Sequence, residues 1–300
     1  MVETQPRLAV SIGLLVALAT LWGAAYTFIK IGVETIPPIT LIATRTLIAG
    51  SLILLILRLR GLRLPTDRRN LGRFFVQACL NSVVPFVLVA WGTQYVDAGL
   101  ATILNSLTPV FAFLINWGIT RHEAVTGAKA LGVAAGLLGI CLVVGPAALG
   151  GQRGQLAAQL AIVFAAVAYG AAVTFGRTFR DLDPMMPAAG SLLFGAAILV
   201  PVSLVVDRPW TIDPSLASVL ALLALSVFST ALAFVLYFTL LKRLGSVGTT
   251  AQAYLRVPIG VGIGMLFLGE TPQSTAWMGL ALVVVSVVAM TLPKRRQRTA

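Results

Sequence analysis

The sequence predicts an all-α membrane protein of ten transmembrane helices, arranged as two five-helix repeats of inverted topology. Three observations predict it. Hydrophobic residues make up 58% of the 300-residue chain, charged residues only 11%, and mean hydropathy is +0.94; a soluble domain carries about 25% charged residues. Ten apolar stretches approach the roughly 20 residues that a helix needs to cross about 30 Å of hydrocarbon. The run Trp22-Gly23-Ala24-Ala25-Tyr26-Thr27-Phe28-Ile29-Lys30 returns as Tyr169-Gly170-Ala171-Ala172-Val173-Thr174-Phe175-Gly176-Arg177, 147 positions later.

That offset also carries Glu123 onto Glu270 and Gly132 onto Gly279, and an offset of 149 carries Gly99 and Pro109 onto Gly248 and Pro258. Agreement at separated places marks a duplication. The first repeat is expected over 1–147 and the second over 148–300. They divide at Gly145-Pro146-Ala147-Ala148-Leu149-Gly150-Gly151, a composition suited to a short turn. Five is odd, so the second repeat enters the bilayer opposite to the first, about a pseudo-two-fold axis in the membrane plane.

The first span is expected at 8–30. Arg7 and Ala17-Leu18-Ala19 give it a signal-peptide look, but cleavage would remove half a helix whose mate persists, so it is read as retained. The second, 38–57, holds Pro38 and Arg45, with Arg45 two turns in and able to snorkel to the interface. The third, 71–91, carries Asn81 and Ser82 midway, then Pro85. In the fourth, 98–118, Asn105, Ser106 and Thr108 lead into Pro109. The fifth, 128–145, places Gly132, Gly136 and Gly139 along one side, the spacing that lets helix backbones approach closely in lipid.

The sixth span, 155–176, repeats the first, and the seventh covers 186–206. The eighth, 215–241, holds Ser229, Thr230 and Tyr237. In the ninth, 248–268, Gln252, Tyr254 and Arg256 lead into Pro258, followed by Gly260 and Gly264. The tenth is expected at 275–292.

With the N-terminus in the cytoplasm, inner segments hold seventeen of the 22 Lys and Arg, outer segments only Lys30, Arg153 and Arg208, and Arg45 and Arg256 fall within spans. This is the positive-inside bias, so both termini are expected to be cytoplasmic. The net charge of +12 then follows from topology, and a nucleic-acid partner is not expected. Cys79 and Cys141 lie in different spans with no CxxC or Cys/His spacing. No disulfide, metal or cofactor is expected.

All ten acids fall in loops, tails or helix ends, and the sole histidine, His122, sits in a basic loop beside Glu123. A buried acid/base pair is therefore missing, and so is the usual carboxylate of a proton relay. An enzyme is not expected, and gradient-driven movement is favoured over proton antiport. The mid-span polar residues are mostly neutral, and the repeat-mate fourth and ninth spans each lead a polar stretch into a proline. Proline frees a carbonyl that needs a polar neighbourhood or a cavity, and paired interruptions point to a transport site. The alternative is interhelical hydrogen bonding, worth about 0.6 kcal/mol on average.

Trp22, Tyr26, Asn81, Asn105, Thr108, Tyr169, Thr230, Gln252, Tyr254 and Arg256 are the candidate solute-binding residues. Trp117, Trp210 and Trp277 read as an interface belt. Arg45 and Arg256 each fit either a solute carboxylate or a tie to backbone oxygens.

The chain resembles the drug/metabolite transporter superfamily, and within it the EamA-type ten-helix exporters. The resemblance rests on Trp22-Gly23 with Tyr169-Gly170, Pro38 with Arg45, Pro109 and Pro258 with their following Val and Ile, and Leu268-Gly269-Glu270. Arg121-His122-Glu123 stands where that family usually shows Leu-Gly-Glu. The resemblance covers essentially the whole chain. It implies export of amino acids, other metabolites or toxic organic compounds across a bacterial inner membrane. The similarity is to the aromatic-amino-acid exporters, which also handle flat organic cations. The expected function is export of small amphipathic metabolites, chiefly aromatic and other neutral amino acids and also flat organic cations, by alternating access around a mid-membrane cavity. The expected partners are the small-molecule solute and the lipid bilayer; the sequence leaves the oligomeric state open and is compatible with a monomer. A channel and a membrane-embedded enzyme are the alternatives.

Overall fold

A computed structural model describes residues 5–119, 126–149, 153–250 and 252–291. Every regular element among them is helical. Lipid offers backbone groups no hydrogen bonds, so a spanning segment must satisfy its own. The first half holds α1 (Gln5–Gly32), α2 (Pro38–Leu59), α3 (Arg68–Ala78), α4 (Val84–Gly92), α5 (Ala98–Asn105), α6 (Thr108–Gly118) and α7 (Gly127–Leu149). The second holds α8 (Arg153–Gly176), α9 (Met185–Val206), α10 (Leu216–Ser226), α11 (Ala233–Thr250), α12 (Gln252–Leu268) and α13 (Ser274–Thr291). Eight helical stretches are long and apolar enough to cross a membrane, some joining two of these elements, and two shorter apolar helices complete the set at Leu255–Leu268 and Ser274–Ala289.

Local chemistry sets the ends. Pro38 opens α2, where its fixed φ and missing N–H cost nothing. The Asp67 carboxylate caps α3 by accepting from Asn70 N (3.1 Å), and Ser215 Oγ caps α10 by accepting from Ser218 N (3.2 Å). Hydrogen bonding to Asn70 holds the exposed Asp67 carboxyl below its ordinary range.

Two segments wind as π-helix: Cys79–Val83 between α3 and α4, and Val227–Leu232 between α10 and α11. They carry Asn81 with Ser82 and Ser229 with Thr230, an offset of 148. Such bulges shift the helical face and recur at functional sites.

The prolines act unequally. Near Pro109 the chain breaks: α5 ends at Asn105, and Ser106 Oγ and Thr108 Oγ1 donate back to the carbonyls of Thr102 (2.6 Å) and Asn105 (2.8 Å). Its mate Pro258 lies inside an unbroken α12. In addition α11 runs to Thr250, past the expected end of the eighth span at 241. In the first half the equivalent stretch is a turn whose Thr93 and Val96 carbonyls accept from Lys30 Nζ (2.8 and 2.9 Å). Arg177, in the position equivalent to Lys30, is instead exposed at the other end of the bundle, and there the chain keeps its carbonyls within helical bonds.

Glycines set the closest approaches. A Cβ at Gly23 would lie 3.0 Å from Gly260 N, drawing α1 onto α12, and one at Gly170 would lie 2.7 Å from Ala112 N, drawing α8 onto α6. Gly23 and Gly170 are 147 apart, and Gly260 lies 149 after Phe111, the other backbone neighbour of Gly170. α2 packs on α9, and α7 on α13. In the latter pair Ser286 Oγ donates to Gly132 O (2.6 Å), and a Cβ at Gly136 would lie 2.8 Å from that hydroxyl.

Candidate solute cavity

A cavity of about 810 Å³ lies inside the bundle, lined from α1 to α6 in the first half and from α8, α9, α11 and α12 in the second, with both π segments included. Sites for small molecules fall between about 300 and 1,000 Å³. At one end the lining reaches Arg177, Arg180, Leu182 and Pro184, in the exposed stretch joining α8 to α9. At the other it stops at Ile29 and Val89, each 3% exposed.

Nine of the ten candidate residues line this one space: Trp22, Tyr26, Asn81, Asn105, Thr108, Tyr169, Thr230, Gln252 and Arg256. The side chain of Tyr254 lies outside the described residues, as do His122 and Glu123. Asn105 Nδ2 donates to the Tyr26 hydroxyl, tying α5 to α1. Trp22 lies edge-on to Phe234 at 6.3 Å and tilted on Tyr237 at 5.5 Å; Tyr169 lies 6.2 Å from Phe86.

The arginines differ from one another. Arg45 does not snorkel. It is 6% exposed and lines the cavity, with Nε donating to Thr230 Oγ1 (2.9 Å) and the guanidinium 3.8 Å over the Phe86 ring. The π turn before α11 presents that hydroxyl, while Thr230 itself donates to Leu225 O (2.7 Å). Arg256 Nε is buried with no hydrogen-bond partner, as are Oε1 of Gln252 and Oδ1 of Asn105.

The closed end is held by charges placed on helix termini. Glu270 accepts from Ala98 N (2.6 Å) and Gly99 N (2.9 Å) at the start of α5, where the free amides and the dipole favour an anion. Lys30 Nζ donates to the carbonyls just past α4. These two side chains thus grip both sides of the short connection from α4 to α5. At the open end Arg73 pairs with Asp181 (2.7 Å), whose exposed carboxyl is held below the usual range by that bond. Among the described residues no three His, Cys, Asp or Glu gather as for a metal.

Gln77, Phe86 and Phe234 also line the cavity and were not expected from the sequence. Gln77 stands one helical turn before Asn81, so a search for polar residues at i and i+4 would have found it. The two phenylalanines had no distinguishing signal in a chain with 14 of them.

The family model for EamA-like transporters matches residues 9–145 and, a second time, 156–292. The chain belongs to the EamA-like transporter family. This EamA-like transporter is 28% identical to the uncharacterized inner membrane transporter YedA of Escherichia coli (strain K12) over 94% of its length and 90% of YedA. It is 24% identical to a probable terminal-alkyne amino-acid exporter of Streptantibioticus cattleyicolor over 97% of each chain. A solved crystal structure, 18% identical, shares the fold with a TM-score of 0.67, covering 96% of this chain and 99% of that one.

Proposed function

We propose that this EamA-like transporter is a bacterial inner-membrane carrier that exports small amphipathic metabolites, chiefly aromatic and other neutral amino acids. It works by alternating access around the cavity between the two halves, and both termini lie in the cytoplasm. The observation that carries the reading is that cavity: about 810 Å³, lined by equivalent elements of both matched halves, reaching the surface at one end and stopping at Ile29 and Val89 at the other. A space open at one end is one of the two states an alternating-access carrier needs, and two inverted repeats supply a second of mirrored form. The repeated family match, the two π segments and the paired glycine contacts support ten spans in two repeats, 1–147 and 148–300.

The aromatic rings of Trp22, Tyr169, Phe86 and Phe234 suit a flat side chain, and the polar groups of Tyr26, Asn105, Gln252 and Arg256 suit its head group. The probable terminal-alkyne amino-acid exporter among the relatives agrees with an amino-acid solute, not with an aromatic one in particular. Proteoliposomes containing only this chain should take up labelled phenylalanine, tyrosine or tryptophan saturably and show counter-flow. Uptake linear in solute with no counter-flow would make it a channel, and movement of aliphatic or charged solutes alone would end the aromatic reading.

A further inference from the structure

The cavity carries charge of a single sign. Arg45, Arg177, Arg180 and Arg256 line it, with no Asp or Glu among the described lining residues. The acids nearest its mouth are engaged elsewhere: Asp181 pairs with Arg73 (2.7 Å) and Asp183 lies 4.0 Å from Lys242. A cleft lined by one sign of charge with low-dielectric walls concentrates the opposite charge and repels its own.

Within this set only one deep arginine waits for an acceptor. Arg45 is occupied by Thr230 and Phe86. Arg256 Nε is buried and unpartnered, on α12 one turn after Gln252. A buried donor without a partner is costly, and a carboxylate is the acceptor that satisfies a guanidinium with two oxygens while neutralising it. Oε1 of Gln252 and Oδ1 of Asn105, also buried and unpartnered, are acceptors suited to an ammonium group.

We propose that the cavity requires a carboxylate on its solute, that Arg256 anchors it, and that organic cations lacking one are excluded. The inference rests on the carrier reading and narrows its solute class. Zwitterionic amino acids and simple carboxylates fit, whereas the flat organic cations admitted on sequence grounds leave Arg256 unpaired and meet like charge.

The test is binding to the purified full-length chain in detergent, measured by calorimetry, of three ligands on one ring. Phenylalanine carries both groups, 3-phenylpropionate the carboxylate alone, and phenethylamine the ammonium alone. The first two should bind, with phenethylamine at least about tenfold weaker. Arg256→Gln should weaken the two carboxylate ligands about ten- to hundredfold without weakening phenethylamine. Arg256→Lys, which keeps the charge but loses the fork, should retain part of the affinity. Phenethylamine binding as tightly as phenylalanine, or carboxylates binding Arg256→Gln as they bind wild type, overturns the proposal. If the glutamine variant does not fold, the wild-type ligand series and the lysine variant decide the matter.

Leucine, 4-methylpentanoate and 3-methylbutylamine form the same series on an aliphatic frame. Arg256-dependent binding of that series alone would uphold the carboxylate anchor and remove the aromatic preference. Failure of every carboxylate in both series overturns the anchor, while counter-flow of other solutes tests the carrier reading separately.

Discussion

Arg45 and Arg256 bring the same charge into the same cavity, yet their surroundings make them different residues. A mid-membrane arginine costs at least about 2.5 kcal/mol on insertion scales. Arg45 offsets that with a hydroxyl acceptor and an aromatic face, and Arg256 keeps an open donor. Glu270 is the acid with the most consequential placement. Both carboxylate oxygens accept backbone amides at the start of α5, with Gly269 at φ +66° turning the chain back after α12 to bring them there. Glu270→Gln keeps one acceptor, loses the charge and sets an NH2 against an N–H. It should lower stability by about 1–3 kcal/mol, seen as a lower thermal unfolding temperature in detergent; an unchanged value would mean the contact does not hold the closed end.

At the scale of elements, tight crossings replace the hydrophobic drive that lipid cannot supply. Gly170 sits against the backbone of α6, so Gly170→Ala puts a methyl 2.7 Å from Ala112 N, and α8 must move. A loss of about 1–3 kcal/mol is expected, as for overpacking of a close-packed site. Gly13 is the control, being exposed and having nothing within 4 Å of the place a methyl would take. Gly13→Ala should leave the melting temperature unchanged or raise it slightly. Equal effects of the two substitutions in a detergent melting assay would show that the α6–α8 crossing is not close-packed. The spans and the polar clusters were legible because apolar length and duplication are written in consecutive residues. The π segments were not: no residue preference distinguishes them.

For the whole molecule, the orientation proposed from the cation bias is open to a direct check. Reporter fusions after Thr66 and after Lys294 should report cytoplasm, and one after Gly150 periplasm. A periplasmic signal at the C-terminal fusion would require an odd number of spans and would overturn the ten-span reading. With this orientation the cavity mouth at Arg177 and Arg180 faces the cytoplasm, and the grip of Lys30 and Glu270 closes the periplasmic end.

The sequence by itself determined the helical membrane class, the duplication and nine of the residues that line the cavity. Each depends on local properties: apolar length, residue order, and the cost of placing polar groups in hydrocarbon. Only the tertiary structure decided that Pro109 accompanies a break while Pro258 does not, that α11 continues through Gly245 and Gly248, and which arginine keeps an unpartnered Nε. Those outcomes depend on which distant group reaches a given carbonyl, amide or guanidinium. Two repeats of one pattern meet different partners at the open and closed ends of the same cavity.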